Sequence, residues 1–157
     1  MQLSHRYSRQ LLDAIGCPTL IIGNSGSGKS TLAQGIGSLL GIEVFDLDLF
    51  RWDDGQRRDT ESAIQMTRSA GSGSRWVIEG VFGWLADVVV ERATALIWTD
   101  LQWDDCKQGL QARGQRRGFD HAQFIELVAW AEAYWVRDTA ASFNGHLRFM
   151  TISLRRS

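Results

Sequence analysis

The sequence predicts an α/β protein whose parallel sheet is covered by helices on both faces. Short apolar strands and helical segments alternate five times along 157 residues, which is the length of one domain. A glycine-rich turn follows the first strand and leads directly into the first helix. Strands of a parallel sheet are buried on both faces, and right-handed crossovers connect them. We therefore expect one domain over residues 1–157, in which residues 1–16 form an N-terminal extension.

The predicted strands are short runs rich in β-branched and other apolar residues. Pro18 opens the first run, where its missing N–H group is tolerated. Acidic residues stand at the ends of the next three runs, at Asp48, Glu79 and Asp100. The predicted strands are residues 18–23, 42–48, 76–80, 95–100 and 147–154.

The predicted helices follow from apolar residues at helical spacing and from terminating residues. In the first helix, Leu32, Ile36 and Leu39 share one face, and Gly41 follows as the C′ residue. Asp120 is placed to cap the fifth helix, because a glutamine stands three residues later as in a capping box. The predicted helices are residues 29–40, 60–70, 85–92 and 103–112 and a helix that begins after Asp120.

Composition and charge exclude several classes of protein. The 17 basic and 18 acidic residues give a net charge of −1, which counts against a polybasic surface for membranes or nucleic acids. Two cysteines cannot form a disulfide framework, and no run of about 18 apolar residues provides a transmembrane helix. Residues 1–16 lack the apolar core of a signal peptide. We therefore expect a cytoplasmic protein without a membrane, nucleic-acid or obligate protein partner.

Residues 23–30 match the phosphate-binding motif G-x-x-x-x-G-K-[ST] without deviation. The glycines let successive N–H groups point into one concavity, where the following helix presents its positive dipole end. Lys29, one of only two lysines, would reach the β- and γ-phosphates of ATP, and the Ser30 hydroxyl would ligate Mg²⁺. The predicted nucleotide-binding residues of this loop are Gly23, Asn24, Ser25, Gly26, Ser27, Gly28, Lys29, Ser30 and Thr31.

With this motif, the chain resembles the adenylate kinase and shikimate kinase group of P-loop kinases. It is more closely similar to the small bacterial adenylate kinase-like ATPases described as DNA topology modulation proteins. The segments that carry the resemblance lie between residue 18 and about residue 140, at 23–31, 44–52, 76–80 and 95–100. The resemblance implies a three-layer P-loop NTPase fold with a five-stranded sheet in the order 2-3-1-4-5. It also implies a phosphotransferase site that uses ATP and Mg²⁺.

Three acidic residues lie near the C-terminal ends of predicted strands, at the sheet edge where open α/β sheets bind ligands. Asp46 and Asp48 lie two residues apart, so on a strand they would share one face. The resemblance implies that Asp46 assists Mg²⁺ and that Asp48 orients or deprotonates the acceptor; the alternative is that these two roles are exchanged. It also implies that Glu79 holds the metal together with Ser30 and Asp46. A solvated strand end is the alternative for each acid.

Three arginines in the loop 113–119, between two helices, are candidates for a short lid over the nucleotide. Arg113, Arg116 and Arg117 repel one another and attract an anion. The resemblance implies that this loop closes on ATP, with Arg113 near the nucleotide and Arg117 near the phosphates, both as catalytic cations. Arg116 is expected to contact the nucleotide as well. A solvated basic loop is the alternative.

The segment 49–75, between the second and third strands, is the expected acceptor-side insert. The resemblance implies that such an insert binds the acceptor, so Arg57 or Arg58 would hold an acceptor phosphate. Arg137, on a later helix, would join them from the far side. A solvated side chain is the alternative for Arg137.

The residues after the third strand differ from those of adenylate kinases. Those enzymes continue with Asp-Gly-Phe-Pro-Arg, whereas this chain reads Glu79-Gly-Val-Phe-Gly-Trp84, without the arginine that grips AMP. AMP is therefore not implied as the acceptor. Phe82, together with Trp52 and Trp84, either lines an aromatic acceptor pocket or belongs to the core.

These residues together predict a P-loop kinase that moves the γ-phosphate of ATP, with Mg²⁺, to a nucleotide or small hydroxyl compound. Lys29 and the lid arginines would neutralise charge, and Asp48 would meet the acceptor. The alternative is an ATP-hydrolysing regulatory switch, with or without a nucleic-acid partner, that has no small-molecule acceptor.

Overall fold

Strands and helices alternate along the chain, as the sequence predicts. The computed structural model describes residues 17–114 and 118–156, so the predicted extension 1–16 lies outside the described residues. The strands are β1 (Thr19–Gly23), β2 (Val44–Asp46), β3 (Trp52–Asp53), β4 (Gln56–Arg57), β5 (Val77–Gly80) and β6 (Ala95–Thr99). The helices are α1 (Lys29–Leu40), α2 (Leu47–Arg51), α3 (Thr60–Ala70), α4 (Gly83–Ala86), α5 (Trp103–Arg113), α6 (His121–Glu132) and α7 (Phe143–Arg156).

Four parallel strands form the main sheet in the order β2-β5-β1-β6, and β3 and β4 form a separate antiparallel hairpin. β1 is central, with Thr19 opposite Val77 of β5 and Ala95 of β6. The predicted parallel α/β sheet is confirmed, but the predicted five strands and their order 2-3-1-4-5 are wrong. Counted along the chain, the four sheet strands lie in the order 2-3-1-4. The described residues contain no fifth sheet strand, because the segment predicted to form it is helical.

Alternate residues of the central strands are buried on opposite faces of the sheet. Leu20 and Ile78 belong to one apolar cluster, which includes buried residues of α3, α4 and α7. Ile21 and Val77 belong to a second cluster, which includes buried residues of α1. Because successive side chains of a strand point to opposite faces, both faces of the sheet are covered by helices, as predicted.

The segment 147–154, predicted as a strand, belongs to helix α7. Its side chains are buried at helical spacing: His146 and Phe149 are buried, whereas Leu147 and Arg148 between them are exposed. A strand would instead bury every second residue. The strand prediction for this segment is therefore wrong, and α7 packs against β6 and β1.

The predicted strand 42–48 ends early. Strand pairing covers Val44–Asp46, and α2 begins at Leu47. The Asp46 carboxylate caps this helix, because it accepts a hydrogen bond from the Asp48 N–H group at 2.8 Å. Asp46 and Asp48 therefore do not share one face of a strand, and the prediction that they do is wrong.

The predicted helix 85–92 is interrupted as well. Gly83–Ala86 is α-helical, and a 3₁₀ turn at Val90–Arg92 follows after a break. Val88 and Val89 lie in the break and Val90 begins the 3₁₀ turn, and β-branched side chains lose rotamer freedom in a helix.

Two predicted helix ends are confirmed. Gly41 is the left-handed residue that ends α1, and its N–H group donates to the Gly37 carbonyl oxygen. The Asp120 carboxylate accepts from the Gln123 N–H group at 2.8 Å, and the Gln123 side chain accepts from the Asp120 N–H group at 2.9 Å. In the described ranges, no helix combines the length and apolarity needed to cross a membrane.

Candidate active site

Side chains of the glycine-rich loop between β1 and α1 anchor it to two neighbouring elements. The Asn24 amide donates to the Ala131 carbonyl oxygen at the end of α6 at 2.9 Å, and its oxygen accepts from the Ser25 N–H group at 2.8 Å. The Ser27 hydroxyl lies 2.6 Å from that of Thr99, at the end of β6. These contacts fix the loop to the sheet and to α6.

Two glycines give the loop its curvature, and their surroundings differ. Gly26 (φ +79°) and Gly28 (φ +84°) both adopt the left-handed conformation that favours glycine. A Cβ atom at Gly26 would collide with the Cys106 carbonyl oxygen of α5, whereas one at Gly28 would meet no atom within 4 Å. The loop is therefore packed against α5 at Gly26 and open at Gly28, where the N–H groups that begin α1 are suited to an anion.

Lys29 is buried, and its side chain turns back into the loop. Its Nζ donates to the Asn24 carbonyl oxygen at 2.7 Å, and only 6% of the residue is exposed. Burial lowers the pKa of the Lys29 ammonium group, and the carboxylates of Glu79, Asp48 and Asp46 oppose this shift. A cation in this position is suited to neutralise phosphate charge.

The Ser30 hydroxyl and the Glu79 carboxylate meet where β1 and β5 end. Ser30 Oγ donates to Glu79 Oε1 at 2.7 Å, and Glu79 is buried. Asp46 lies opposite Glu79 in the pairing of β2 with β5. Burial raises the pKa of Glu79 to about 7, and the Asp46 carboxylate adds to this shift, while Lys29 opposes it.

The donor set of Ser30, Asp46 and Glu79 fits Mg²⁺. Magnesium in phosphate sites is held by oxygen ligands, commonly one or two carboxylates together with the substrate's phosphates. Among the described residues, no group of three or more His, Cys, Asp or Glu is arranged to hold a metal by itself. These three residues therefore suit a metal that arrives with a nucleotide better than a permanently bound one.

Two cavities open beside the loop, and both are lined by Trp52 and Phe119. The first, called the Ser30 cavity, has a volume of about 290 Å³ and is lined by Ser30, Asp46, Leu49, Trp52, Asp54, Gly55, Arg113 and Phe119. The second, called the aromatic cavity, has a volume of about 300 Å³ and is lined by Ser25, Asp48, Arg51, Trp52, Arg57, Val81, Phe82, Trp84, Phe119, Gln123, Glu126, Leu127 and Trp130. The rings of Trp52 and Phe119 meet edge to face, with centroids 5.3 Å apart, so this pair lies between the two cavities.

The two neighbouring aspartates face different cavities. Asp46 lines the Ser30 cavity together with Arg113, the last residue of α5. Asp48 lines the aromatic cavity, which also reaches Ser25 of the glycine-rich loop. The helical turn that begins after Asp46 produces this divergence, which the strand prediction did not contain.

None of the three remaining predicted nucleotide residues is found in the lining of a cavity formed by described residues. Thr31 is exposed on the first turn of α1 and lines neither cavity. Arg116 and Arg117 lie outside the described residues. Gly118, at the end of the predicted lid, packs directly against the backbone of Gly55 in the β3–β4 hairpin.

The predicted acceptor arginines separate into one that lines the aromatic cavity and two that do not. Arg57 lines it. Arg58 instead holds the backbone, because its Nε donates to the Phe50 carbonyl oxygen at 3.1 Å, and its guanidinium lies 3.7 Å from the Asp53 carboxylate. Arg137 donates to the carbonyl oxygens of Trp130 and Ala141 and stacks 3.9 Å above the Trp130 ring centroid.

Five residues that line the aromatic cavity are not among the site residues predicted from the sequence. They come from α6 and the turn before it, and they are Phe119, Gln123, Glu126, Leu127 and Trp130. Their spacing of three and four residues marks one face of a helix, which is a signal that the sequence does contain. The spacing of Phe124, Val128, Ala131 and Trp135 predicts an apolar stripe on a different face.

No family model and no curated protein matches the chain. Among solved structures, it is similar to an unliganded sugar kinase from Janibacter sp. HTCC2649, with 19% identity and a TM-score of 0.46 over 77% of this chain and 80% of that one. A shikimate kinase from Bacteroides thetaiotaomicron gives 19% identity and a TM-score of 0.49, over 72% of this chain and 76% of that one. A gluconokinase from Sinorhizobium meliloti 1021 gives 13% identity and a TM-score of 0.47, over 91% and 98%.

Proposed function

We propose that this protein is a P-loop kinase that uses ATP and Mg²⁺ to phosphorylate a small acceptor. The observation that carries the proposal is the pair of cavities beside the glycine-rich loop. Ser30 and Asp46 line one cavity, and Asp48 and Ser25 line the other. A switch that only hydrolyses ATP needs the first cavity alone, whereas a kinase needs a second one for its acceptor.

ATP would bind with its phosphates in the loop formed by residues 23–30. Buried Lys29 would exchange its contact with the Asn24 carbonyl oxygen for phosphate oxygens, to which an ammonium group donates more strongly. Arg113 lines the Ser30 cavity and would add positive charge there. Arg116 and Arg117 complete the proposed lid, and in this proposal Arg117 shares the neutralisation of the transferring phosphoryl group with Arg113 and Lys29.

Ser30, Asp46 and Glu79 would hold Mg²⁺, which supplies positive charge against the phosphate oxygens when it is bound. Their hydroxyl and carboxylate oxygens form a compact set, since Ser30 Oγ lies 2.7 Å from Glu79 Oε1 and Asp46 lies opposite Glu79 in the sheet. The metal therefore belongs in this proposal to the Ser30 cavity.

The Asp48 carboxylate would orient the attacking group of the acceptor. For a hydroxyl acceptor, its oxygen forms a bond to the γ-phosphorus as the bond from phosphorus to the β–γ bridging oxygen breaks. ADP leaves, and the hydroxyl proton passes to Asp48 and then to water. Because such a transfer depends mostly on positioning and electrostatics, one well-placed carboxylate suffices as a base.

An acceptor screen tests the proposal directly. ADP release from ATP and Mg²⁺ is measured with nucleotides, nucleosides, hydroxy acids and small alcohols, and products are checked by mass spectrometry for one added phosphoryl group. The K29A protein provides the background rate. We expect slow hydrolysis without an acceptor, and stimulation of roughly tenfold or more with the right one.

The alternative of a regulatory ATPase predicts a different result. ADP release would then be the same whatever small molecule is added, and no phosphorylated product would form. That outcome would overturn the kinase proposal while leaving nucleotide binding intact. The cytoplasmic location, the missing nucleic-acid partner and the closer kinship with adenylate kinase-like ATPases belong to the proposal as well, since they rest on composition and on resemblance.

A further inference from the structure

Five aromatic side chains line the aromatic cavity, and all five are half-buried. They are Trp52, Phe82, Trp84, Phe119 and Trp130. The Phe82 ring centroid lies 6.4 Å from that of Trp84 and 6.1 Å from that of Trp130. Trp76, in contrast, is fully buried in the core. Aromatic rings that remain accessible around a concavity are typical of a ligand pocket.

Two arginines line the same cavity, each above a tryptophan ring. The guanidinium of Arg51 lies 5.3 Å from the Trp84 ring centroid, and that of Arg57 lies 5.4 Å from the Trp52 ring centroid. Burial lowers the pKa of Arg51, and the nearby charge of Arg57 lowers it further. Within residues 17–114 and 118–156, neither arginine forms an ion pair with a carboxylate. Two such neighbouring cations are suited to bind one anionic group.

Apolar and aromatic side chains make up seven of the thirteen residues that line this cavity. Apart from the two arginines, its charged and polar lining side chains are Asp48, Glu126, Ser25 and Gln123. The Gln123 amide already donates to the Gly55 carbonyl oxygen at 3.3 Å. A buried polyol needs a hydrogen-bond partner for each hydroxyl and would lose affinity against a wall of rings. An aromatic ligand would instead gain offset or edge-to-face contacts with those rings.

We infer that the acceptor is an anionic aromatic compound with a free hydroxyl group. Its ring would lie against Phe82, Trp84 and Trp130, its anionic group between Arg51 and Arg57, and its hydroxyl at Asp48. An aromatic hydroxycarboxylate and a nucleoside monophosphate share this chemistry. The inference rests on the proposed function, because Asp48 is given its role there, and a cavity of about 300 Å³ suits a small ligand.

Matched pairs of probes test the preference for a ring. Calorimetry with the full chain, Mg²⁺ and a saturating non-hydrolysable ATP analogue compares 3-(hydroxymethyl)benzoate with 3-(hydroxymethyl)cyclohexanecarboxylate. A second pair compares the nucleoside 5′-monophosphates with ribose 5-phosphate. In at least one pair, we expect the aromatic member to bind about tenfold more tightly or better. The pair that shows the preference identifies which of the two sources fits.

Two variants assign the preference to the cavity. F82L keeps an apolar side chain but removes the ring, so the affinity ratio within the preferred pair should fall toward one. F45L is the matched control, because Phe45 packs on the same core cluster without lining the cavity, and it should keep the ratio. R57A changes an exposed side chain, and it should weaken both members of the pair while leaving their ratio unchanged.

These experiments distinguish a failure of the predicted aromatic binding from a failure of the proposed kinase activity. Equal affinities within both pairs, or no binding by any probe, would overturn the aromatic class of acceptor. Phosphorylation of a polyol acid in the acceptor screen would then leave the kinase function intact. An unchanged ratio in a folded F82L protein, or no loss of affinity in R57A, would also overturn the aromatic class. Selective aromatic binding without any ADP release would support the site and overturn the kinase function instead.

Discussion

The glycine-rich loop and the aromatic cavity are neighbours, but they are built in different ways. The loop is one continuous segment whose polar groups are held by short hydrogen bonds, such as the 2.7 Å contacts made by Lys29 and Ser30. The aromatic cavity is assembled from separate segments of the chain, and its lining includes five rings and two arginines. Backbone geometry shapes the first region, and side chains shape the second.

This difference bears on how each region tolerates change. Phosphates are the same in every nucleotide, so a backbone cradle can bind them and leaves little room for variation. An acceptor must be distinguished from similar molecules, which requires side chains that can be exchanged without disturbing the sheet. Substitutions in the loop should therefore abolish function, whereas substitutions in the aromatic cavity should change specificity by degrees.

The largest effect should come from Lys29. K29A removes the buried cation from the loop, and the loss of a charge-assisted hydrogen bond is worth about 1.5–3 kcal/mol, or roughly 10- to 150-fold in ATP affinity. Turnover should fall further if the same cation stabilises the transferring phosphoryl group. Calorimetric ATP titration measures the binding part. K107A, which changes the chain's other lysine on the exposed face of α5, should leave affinity unchanged.

A folded K29A protein with wild-type ATP affinity would contradict the difference in function between the glycine-rich loop and the aromatic cavity. The loop would then be a turn between β1 and α1 without a binding role.

Asp48 should separate catalysis from ATP binding. D48N keeps the shape of the side chain but removes its charge, so turnover with the best acceptor should fall by about 10²-fold, as expected for a lost general base. ATP affinity should barely change, because Asp48 lines the aromatic cavity and not the Ser30 cavity. Parallel measurements of kcat and of ATP affinity provide the test. A loss of Mg²⁺-dependent ATP affinity in D48N would exchange the roles of Asp46 and Asp48.

The loop could be recognised from the sequence because all of its signals are local. Residues 23–30 are contiguous, and the strand before them and the helix after them follow from short-range patterns. The capping box at Asp120 and the C-terminal glycine of α1 are local in the same sense. Such signals do not depend on how distant segments pack.

The aromatic cavity depends on contacts between distant segments, and sequence reasoning recovers it only in part. Phe82 and Trp84 are visible after β5, but their neighbour Trp130 belongs to α6, almost 50 residues away. The strand prediction for 147–154 failed for a related reason, since a short apolar run fits either period and its burial depends on tertiary packing. The strand prediction for 42–48 failed for a different and local reason, because the Asp46 side chain caps a helix that begins at Leu47.

Two glycines of the loop should respond differently to alanine. Both G26A and G28A place a side chain at positive φ, which costs about 1–2 kcal/mol. G26A also forces a collision with the Cys106 carbonyl oxygen, so we expect a total loss of roughly 3 kcal/mol or more in the free energy of unfolding. Urea denaturation of both variants measures the difference. Equal losses would show that the loop is not packed against α5 at Gly26.

A buried histidine supports the wall of the aromatic cavity. His146 Nε2 donates to the carbonyl oxygen of Val81, which lines that cavity, at 2.8 Å. The Trp98 indole N–H donates to the Tyr134 hydroxyl at 3.1 Å, so that hydroxyl is free to donate in turn to His146 Nδ1, 2.7 Å away. Each group in this chain has one consistent role if the imidazole is neutral. Burial lowers the pKa of His146 to about 4.

Acidification should therefore destabilise the protein through His146. The pKa of the unfolded histidine is near 6.5, so the unfolded chain binds the proton first, and stability present above pH 6.5 is lost as the pH falls toward 4. Between about pH 7 and pH 5, this linkage should remove about 2 kcal/mol from the free energy of unfolding. Urea denaturation across that range measures it, with H146Q as the control, because its amide can donate to the Val81 carbonyl oxygen but does not titrate. If wild type and H146Q lose stability equally over this range, the neutral histidine does not support the wall of the aromatic cavity. The aromatic cavity and the glycine-rich loop would then differ less in their chemistry than the structure indicates.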